Sequence, residues 1–161
     1  MSYAINTKQA ELAVRLVLPS IKYTMGLGLA DGEHLHIVVL HPEAKYDPAE
    51  KIERSILYEF SVGNKAEWKY PYAEIARSKA RITLRTGMPS LYVVQCAPHL
   101  LHFSDTKYGG SAYLDGIVVA CSGVQEHFDE MFSMWIASAI KGLALERMQE
   151  IRKNEMVTFL K

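Results

Sequence analysis

At 161 residues the chain fits one domain, residues 1–161, whose core can close without disulfides. Its 18 basic and 18 acidic residues cancel and are scattered, which argues against a nucleic-acid footprint or an anionic membrane as partner and leaves little repulsion against self-association. Cys96 and Cys121 stand in no metal-ligand spacing, and no apolar run reaches the ~18 residues of a spanning helix, so neither a zinc site nor a membrane span is expected. The opening stretch MSYAINTKQAELA carries no basic-then-apolar leader, and a cytoplasmic setting follows as the expectation.

In chain order, Asn6 or Thr7 caps a first helix whose Ala10, Ala13, Val17 and Ile21 share a side, with a kink or break expected at Pro19 because proline removes a backbone donor. After the Asp31-Gly32 turn, His34 to His41 reads as a strand with Leu35, Ile37 and Val39 on one face and His34, His36, Val38 and Leu40 on the other. A Pro-containing loop leads to a second strand, Ile56 to Val62, stopped by Gly63-Asn64. Pro71 suits a helix start; Ala73, Ala76, Ala80 and Thr83 form a stripe of small residues, Arg77, Arg81 and Arg85 a basic one, and Gly87 with Pro89 ends the helix. Leu91 to Ala97 is apolar and leans to strand. Ser111 to Cys121, folded at Asp115-Gly116, is the strongest hairpin signal in the chain. Ser122 is the expected cap of a long final helix to about Arg152, with Phe128, Phe132, Trp135, Ala139 and Gly142 on its buried side. The apolar tail Met156 to Leu160 is expected to pack on the domain or on a neighbouring subunit. The pattern describes an α+β fold, an antiparallel sheet with helices packed on it.

Two runs carry a resemblance to a known family. In Ala73 to Ser90, Ile75, Ala76, Arg77, Lys79, Ala80 and Arg81 follow the helix motif of GlcG/HbpS-like domains, which also occur at the C-terminus of PduO-type adenosyltransferases. Gly109, Gly110, Asp115, Gly116, Ser122, Gly123, Asp129 and Glu130 follow that family's hairpin. The chain departs at Ile82, where the family has threonine, at Ala120, where glycine is usual, and between His41 and Trp68. The resemblance implies a profilin-like or PAS-like α/β/α sandwich with a five-stranded antiparallel sheet, a homo-oligomer (dimer or larger), and binding of haem or a related tetrapyrrole by a non-catalytic carrier or sensor.

The site residues weighed under that expectation are Lys79 with Arg77 and Arg81, as clamps for carboxylates such as haem propionates, against the commoner reading of a solvated helix face. Arg85 extends the same stripe. His99, His102 and His127 are the possible axial ligands, against surface histidines. Gly109 and Gly110 would let backbone approach a ligand closely, or serve turn geometry alone. His34 and His36 share a strand face but lack a third ligand, so edge or interface histidines are the simpler reading. Cys121 and the Phe128, Met131, Trp135 stripe read as core. Two rival functions stand beside tetrapyrrole binding: an enzyme or accessory acting on a small anionic metabolite through Lys79, and an interaction module without a ligand.

Overall fold

The computed structural model describes residues 2–154 and 158–160. Four α-helices and four strands follow in the order α1 (Thr7–Gly26), β1 (Leu35–Leu40), β2 (Ile56–Val62), α2 (Tyr72–Thr86), α3 (Ser90–Cys96), β3 (Ser111–Leu114), β4 (Ile117–Ser122) and α4 (Glu126–Asn154). The sheet is open and antiparallel, with strand order β2-β1-β4-β3.

Strand alternation divides the core between the two faces. Leu35, Ile37 and Val39 of β1, with Val119 and Cys121 of β4, meet α1 and α4, while Val38, Leu40, Val118 and Ala120 meet Ala76 and Ala80 of α2. A stripe of alanines lets α2 lie close to the sheet, so the smaller cluster forms without large side chains. The β3–β4 turn matches its sequence signal: Asp115 and Gly116 both hold positive φ, +49° and +87°, as a two-residue hairpin of this twist requires. Gly87 ends α2 in the left-handed conformation that glycine adopts without cost.

Several expectations need correction. The first helix runs unbroken through Pro19, and its Asn6 cap is completed by Gln9, whose side chain accepts from the Asn6 N–H. Leu91 to Ala97 is not a strand: Ser90–Cys96 is helical, and the sheet has four strands where five were implied. A run of seven residues, apolar but for Gln95, cannot be told apart as strand or buried helix by periodicity, and here Pro89, immediately before the helix, tips the balance. Ser122 belongs to β4 and does not cap the last helix, which begins at Glu126. The buried face of α4 is Asp129, Phe132, Ser133, Ile136, Ala137 and Ile140; Phe128, Trp135 and Ala139 flank it, and Gly142 is exposed. Since β1 is a central strand, His36 is no edge residue and is buried. Of the apolar tail, Met156 and Val157 lie outside the described residues, and Phe159 and Leu160 are exposed. Among the described residues no helix is long and apolar enough to cross a membrane.

Candidate functional site

The small face of α2 carries one residue that does not belong to an apolar stripe. Lys79 falls between Ala76, Ala80 and Thr83, and it is 1 % exposed. An ammonium taken out of water must be paired, and the buried face of α4 supplies the partner at Asp129. Lys79 Nζ donates to Asp129 Oδ2 at 2.8 Å and to the Cys121 carbonyl at 2.9 Å. Asp129 Oδ1 accepts from the Val124 N–H at 3.3 Å, so the carboxylate also serves the unsatisfied amides at the head of α4. Burial pushes the Asp129 carboxyl up to about 7, against the attraction of Lys79 and the hydrogen bonds from Lys79, Val124 and Gly123, which pull it down. In the same surroundings burial pushes the Cys121 thiol up to about 12, which suits a core residue and not a nucleophile.

Gly110 makes the pair possible. A Cβ there would lie 2.6 Å from Asp129 Cβ and 2.8 Å from Lys79 Nζ, and its φ of +135° disfavours any side chain. Its backbone is fixed on both sides: the N–H donates to Ser90 Oγ at 3.1 Å, and the carbonyl accepts from Ser133 Oγ at 2.7 Å. A buried hydroxyl cluster, Ser90, Ser111 and Thr83, continues behind it, with Ser111 Oγ 2.6 Å from both other oxygens.

The pair forms the floor of an open cleft of about 410 Å³, within the range of about 300–1,000 Å³ usual for small-molecule sites. Tyr70 comes from the loop before α2, Tyr72 and Ile75 from its first turn, Tyr108 from the loop before β3, Asp31 from the loop after α1, and Ser122 to Glu126 from the end of β4 to the start of α4. Two side chains at the head of α4 hold the loops in place. Gln125 accepts from the Asp31 N–H at 2.7 Å and reaches the Leu29 carbonyl at 3.4 Å, while Glu126 Oε1 accepts from the Gly109 N–H at 2.6 Å. Tyr70 and Tyr72 stand with ring centres 6.2 Å apart at 64°, and Trp68 backs Tyr72 at 5.4 Å.

The expected site residues divide sharply by place. Lys79 lines the cleft; Arg77, Arg81 and Arg85 face elsewhere and are tied to carboxylates. Arg77 grips Glu59 with two bonds, Nε–Oε1 at 2.8 Å and a terminal nitrogen to Oε2 at 3.0 Å. Arg81 and Arg85 share the buried carboxylate of Asp105, at 3.1 and 2.6 Å. For Asp105, burial pushes the carboxyl up, but Arg85, the His102 N–H and Arg81 outweigh it and hold it below its ordinary value. His36 joins the Glu59 group: Nε2 lies 3.1 Å from Glu59 Oε1 and Nδ1 2.8 Å from Ser61 Oγ, and burial lowers its pKa against the opposing pull of Glu59. Glu59 is held low, since the bonds from Arg77 and His36 outweigh its own burial. His99, His102 and His127 are exposed and none belongs to the cleft lining. Gly109 packs against Leu91, so its lack of a side chain serves packing while its N–H holds Glu126. Among the described residues no three His, Cys, Asp or Glu side chains are grouped to hold a metal ion.

Tyr70, Tyr72, Tyr108, Asp31 and Glu126 were not singled out from the sequence. They sit in four separate loop or helix-end segments that the fold brings together. Asp129 had a signal: an acid at the spacing of Phe132, Ser133 and Ile136 on the inward face of a helix, opposite a lysine on the inward face of another. No protein-family model, no curated protein and no solved structure matches this chain.

Proposed function

We propose that the chain is a non-catalytic small-molecule-binding domain whose ligand occupies the cleft above the Lys79–Asp129 pair. The observation that carries this reading is the coincidence of a buried, charge-paired lysine with an open cleft walled by three tyrosines, since strongly desolvated ionisable groups and concave apolar walls gather at functional sites. A thermal-shift screen of small molecules, with haemin included, tests it. A stabilising compound whose shift disappears in Tyr72→Ala supports the proposal. Absence of any stabilising compound, or shifts that persist unchanged in that variant, contradicts it.

The second reading is the tetrapyrrole binding implied by the resemblance to GlcG/HbpS-like domains and their profilin-like or PAS-like sandwich. Its support in this chain is the tyrosines, whose rings stack on a macrocycle and whose phenols are a known type of haem ligand. Histidine ligation does not fit the cleft, because His99, His102 and His127 lie outside it. A saturable Soret shift on haemin titration, lost in a Tyr→Phe variant and kept in the three His→Ala variants, is the result this reading requires. A homo-oligomer is the companion proposal, supported by the exposed Leu12, Leu16 and Tyr23, which stand on the outer side of α1 among Lys8, Arg15 and Lys22; light scattering in solution tests it.

A further inference from the structure

The charged groups that line the cleft are Asp31, Lys79, Glu126 and Asp129. The only base among them is already answered: Lys79 is held by Asp129 and the Cys121 carbonyl, and an anion reaching it would have to displace a buried carboxylate. Asp31 and Glu126 are different. Glu126 accepts one backbone N–H through Oε1, Asp31 uses its own N–H and not its carboxylate, and among the described residues neither forms an ion pair. The lining therefore carries two net negative charges with Asp129 ionised, and one with Asp129 protonated.

The head of α4 would by itself attract an anion, but Glu126 and Asp129 already place two carboxylates in its first turn. Three tyrosines in the lining suit a cation as well, because an aromatic face is the negative end of its quadrupole. Lys107 shows the effect at the rim, where its ammonium lies over the Tyr108 ring at 5.4 Å; it is the positive group nearest in sequence to that wall. Among the described residues the cations that lie over rings do so at Trp68, Tyr46, Tyr108 and Tyr3, and not at Tyr70 or Tyr72, which stand at 64° to each other.

From these observations we infer that the cleft selects an organic cation, an ammonium or quaternary ammonium group on a small apolar body. The inference rests on the cleft being the binding site and adds the ligand's charge. The cation sits against Tyr70 and Tyr72 with Asp31 and Glu126 as counter-charges, and the apolar body lies along Ile75. This proposal runs against the preference for anionic ligands that the lysine and arginines suggested, since those bases are paired within the protein.

The test is calorimetric and NMR titration of the intact chain with phenyltrimethylammonium, benzoate and benzyl alcohol, a cation, an anion and a neutral compound on the same ring. Saturable binding of the cation at least about tenfold tighter than of the other two, with amide shifts at Asp31, Tyr72 and Glu126, is expected. The double variant Asp31→Asn with Glu126→Gln keeps the acceptor for the Gly109 N–H, and it should weaken the cation by about tenfold while leaving benzyl alcohol unchanged. If benzoate binds as tightly as the cation, or the double variant binds the cation as well as the native chain, the charge inference is overturned while the cleft keeps its role. If none of the three shifts a cleft amide, the cleft reading falls with it.

Discussion

Two sides of α2 solve the same problem in opposite ways. On one, Arg77, Arg81 and Arg85 are tied to Glu59 and Asp105, and each charge is consumed by a partner from another segment, so the arginines act as staples between α2, β2 and the loop before β3. On the other, a single lysine meets a single aspartate, far more deeply buried, beneath a cleft that leaves two further carboxylates unpaired. The difference teaches that basic residues mark a ligand site poorly. Space alone does not distinguish the Lys79 side, since about 360 Å³ also lies beside Arg77 and Arg81, lined by Lys51, Glu53 and Glu74; what sets the Lys79 cleft apart is its three tyrosines with Asp31 and Glu126.

The comparison breaks most visibly at the buried pair. Asp129→Ala leaves an ammonium in the core with only the Cys121 carbonyl as partner, and should cost about 3–5 kcal/mol in chemical denaturation. Lys79→Met should cost less, because a carboxyl pushed up to about 7 can take a proton, and the loss should be smaller at pH 6 than at pH 8. Combining Lys79→Met with Asp129→Leu should recover most of the stability, since apolar replacement of a buried pair is often neutral. Gly110→Ala drives a methyl between the two partners and should cost about 3 kcal/mol. Asp105→Asn, on the arginine side, unpairs Arg81 and Arg85, which are both partly in solvent, and should cost about 2 kcal/mol.

The two sides also titrate in different windows. Asp129 is raised above its unfolded value, so its contribution is present below pH ~4 and is lost as pH climbs to about 7. Glu59 and Asp105 are lowered, so theirs is present above pH ~4 and is lost as pH falls below their folded values. Stability measured from pH 3 to 8 in Asp129→Asn should lose the fall that Asp129 contributes between about pH 4 and 7 and keep the acid limb. His36, lowered, and Glu130, raised, add their own slopes in that window, so the reading is the difference between the two proteins: a slope unchanged by the substitution would show that the pair does not titrate there.

The strands, the hairpin turn, the helix caps at Asn6 and Gly87 and the α+β class were legible because local chemistry determines each of them. Leu91 to Ala97 was misread because seven residues, apolar but for Gln95, carry no period long enough to choose. The first helix survives Pro19 because the fold, and not propensity, decides a helix already packed through Ala13, Val14 and Ile21. Lys79 was grouped with the arginines by sign of charge, whereas its spacing from Ala76, Ala80 and Thr83 puts it on the buried face. That spacing, read with Asp129 four residues before Ser133 on α4, was enough to pair them. The tyrosine walls and the pinning by Gln125 and Glu126 depend on loops meeting in space, and no periodicity encodes that.

In the function proposed above, the cleft over Lys79 and Asp129 binds and the arginine side holds the fold. Assigned amide NMR during titration with phenyltrimethylammonium reads both sides at once. The account predicts saturable shifts at Asp31, Tyr70, Tyr72, Tyr108, Gln125 and Glu126, and none at Arg77, Arg81, Asp105 or Glu59. Shifts gathered on the arginine side, or no saturable shift at the cleft, would contradict it.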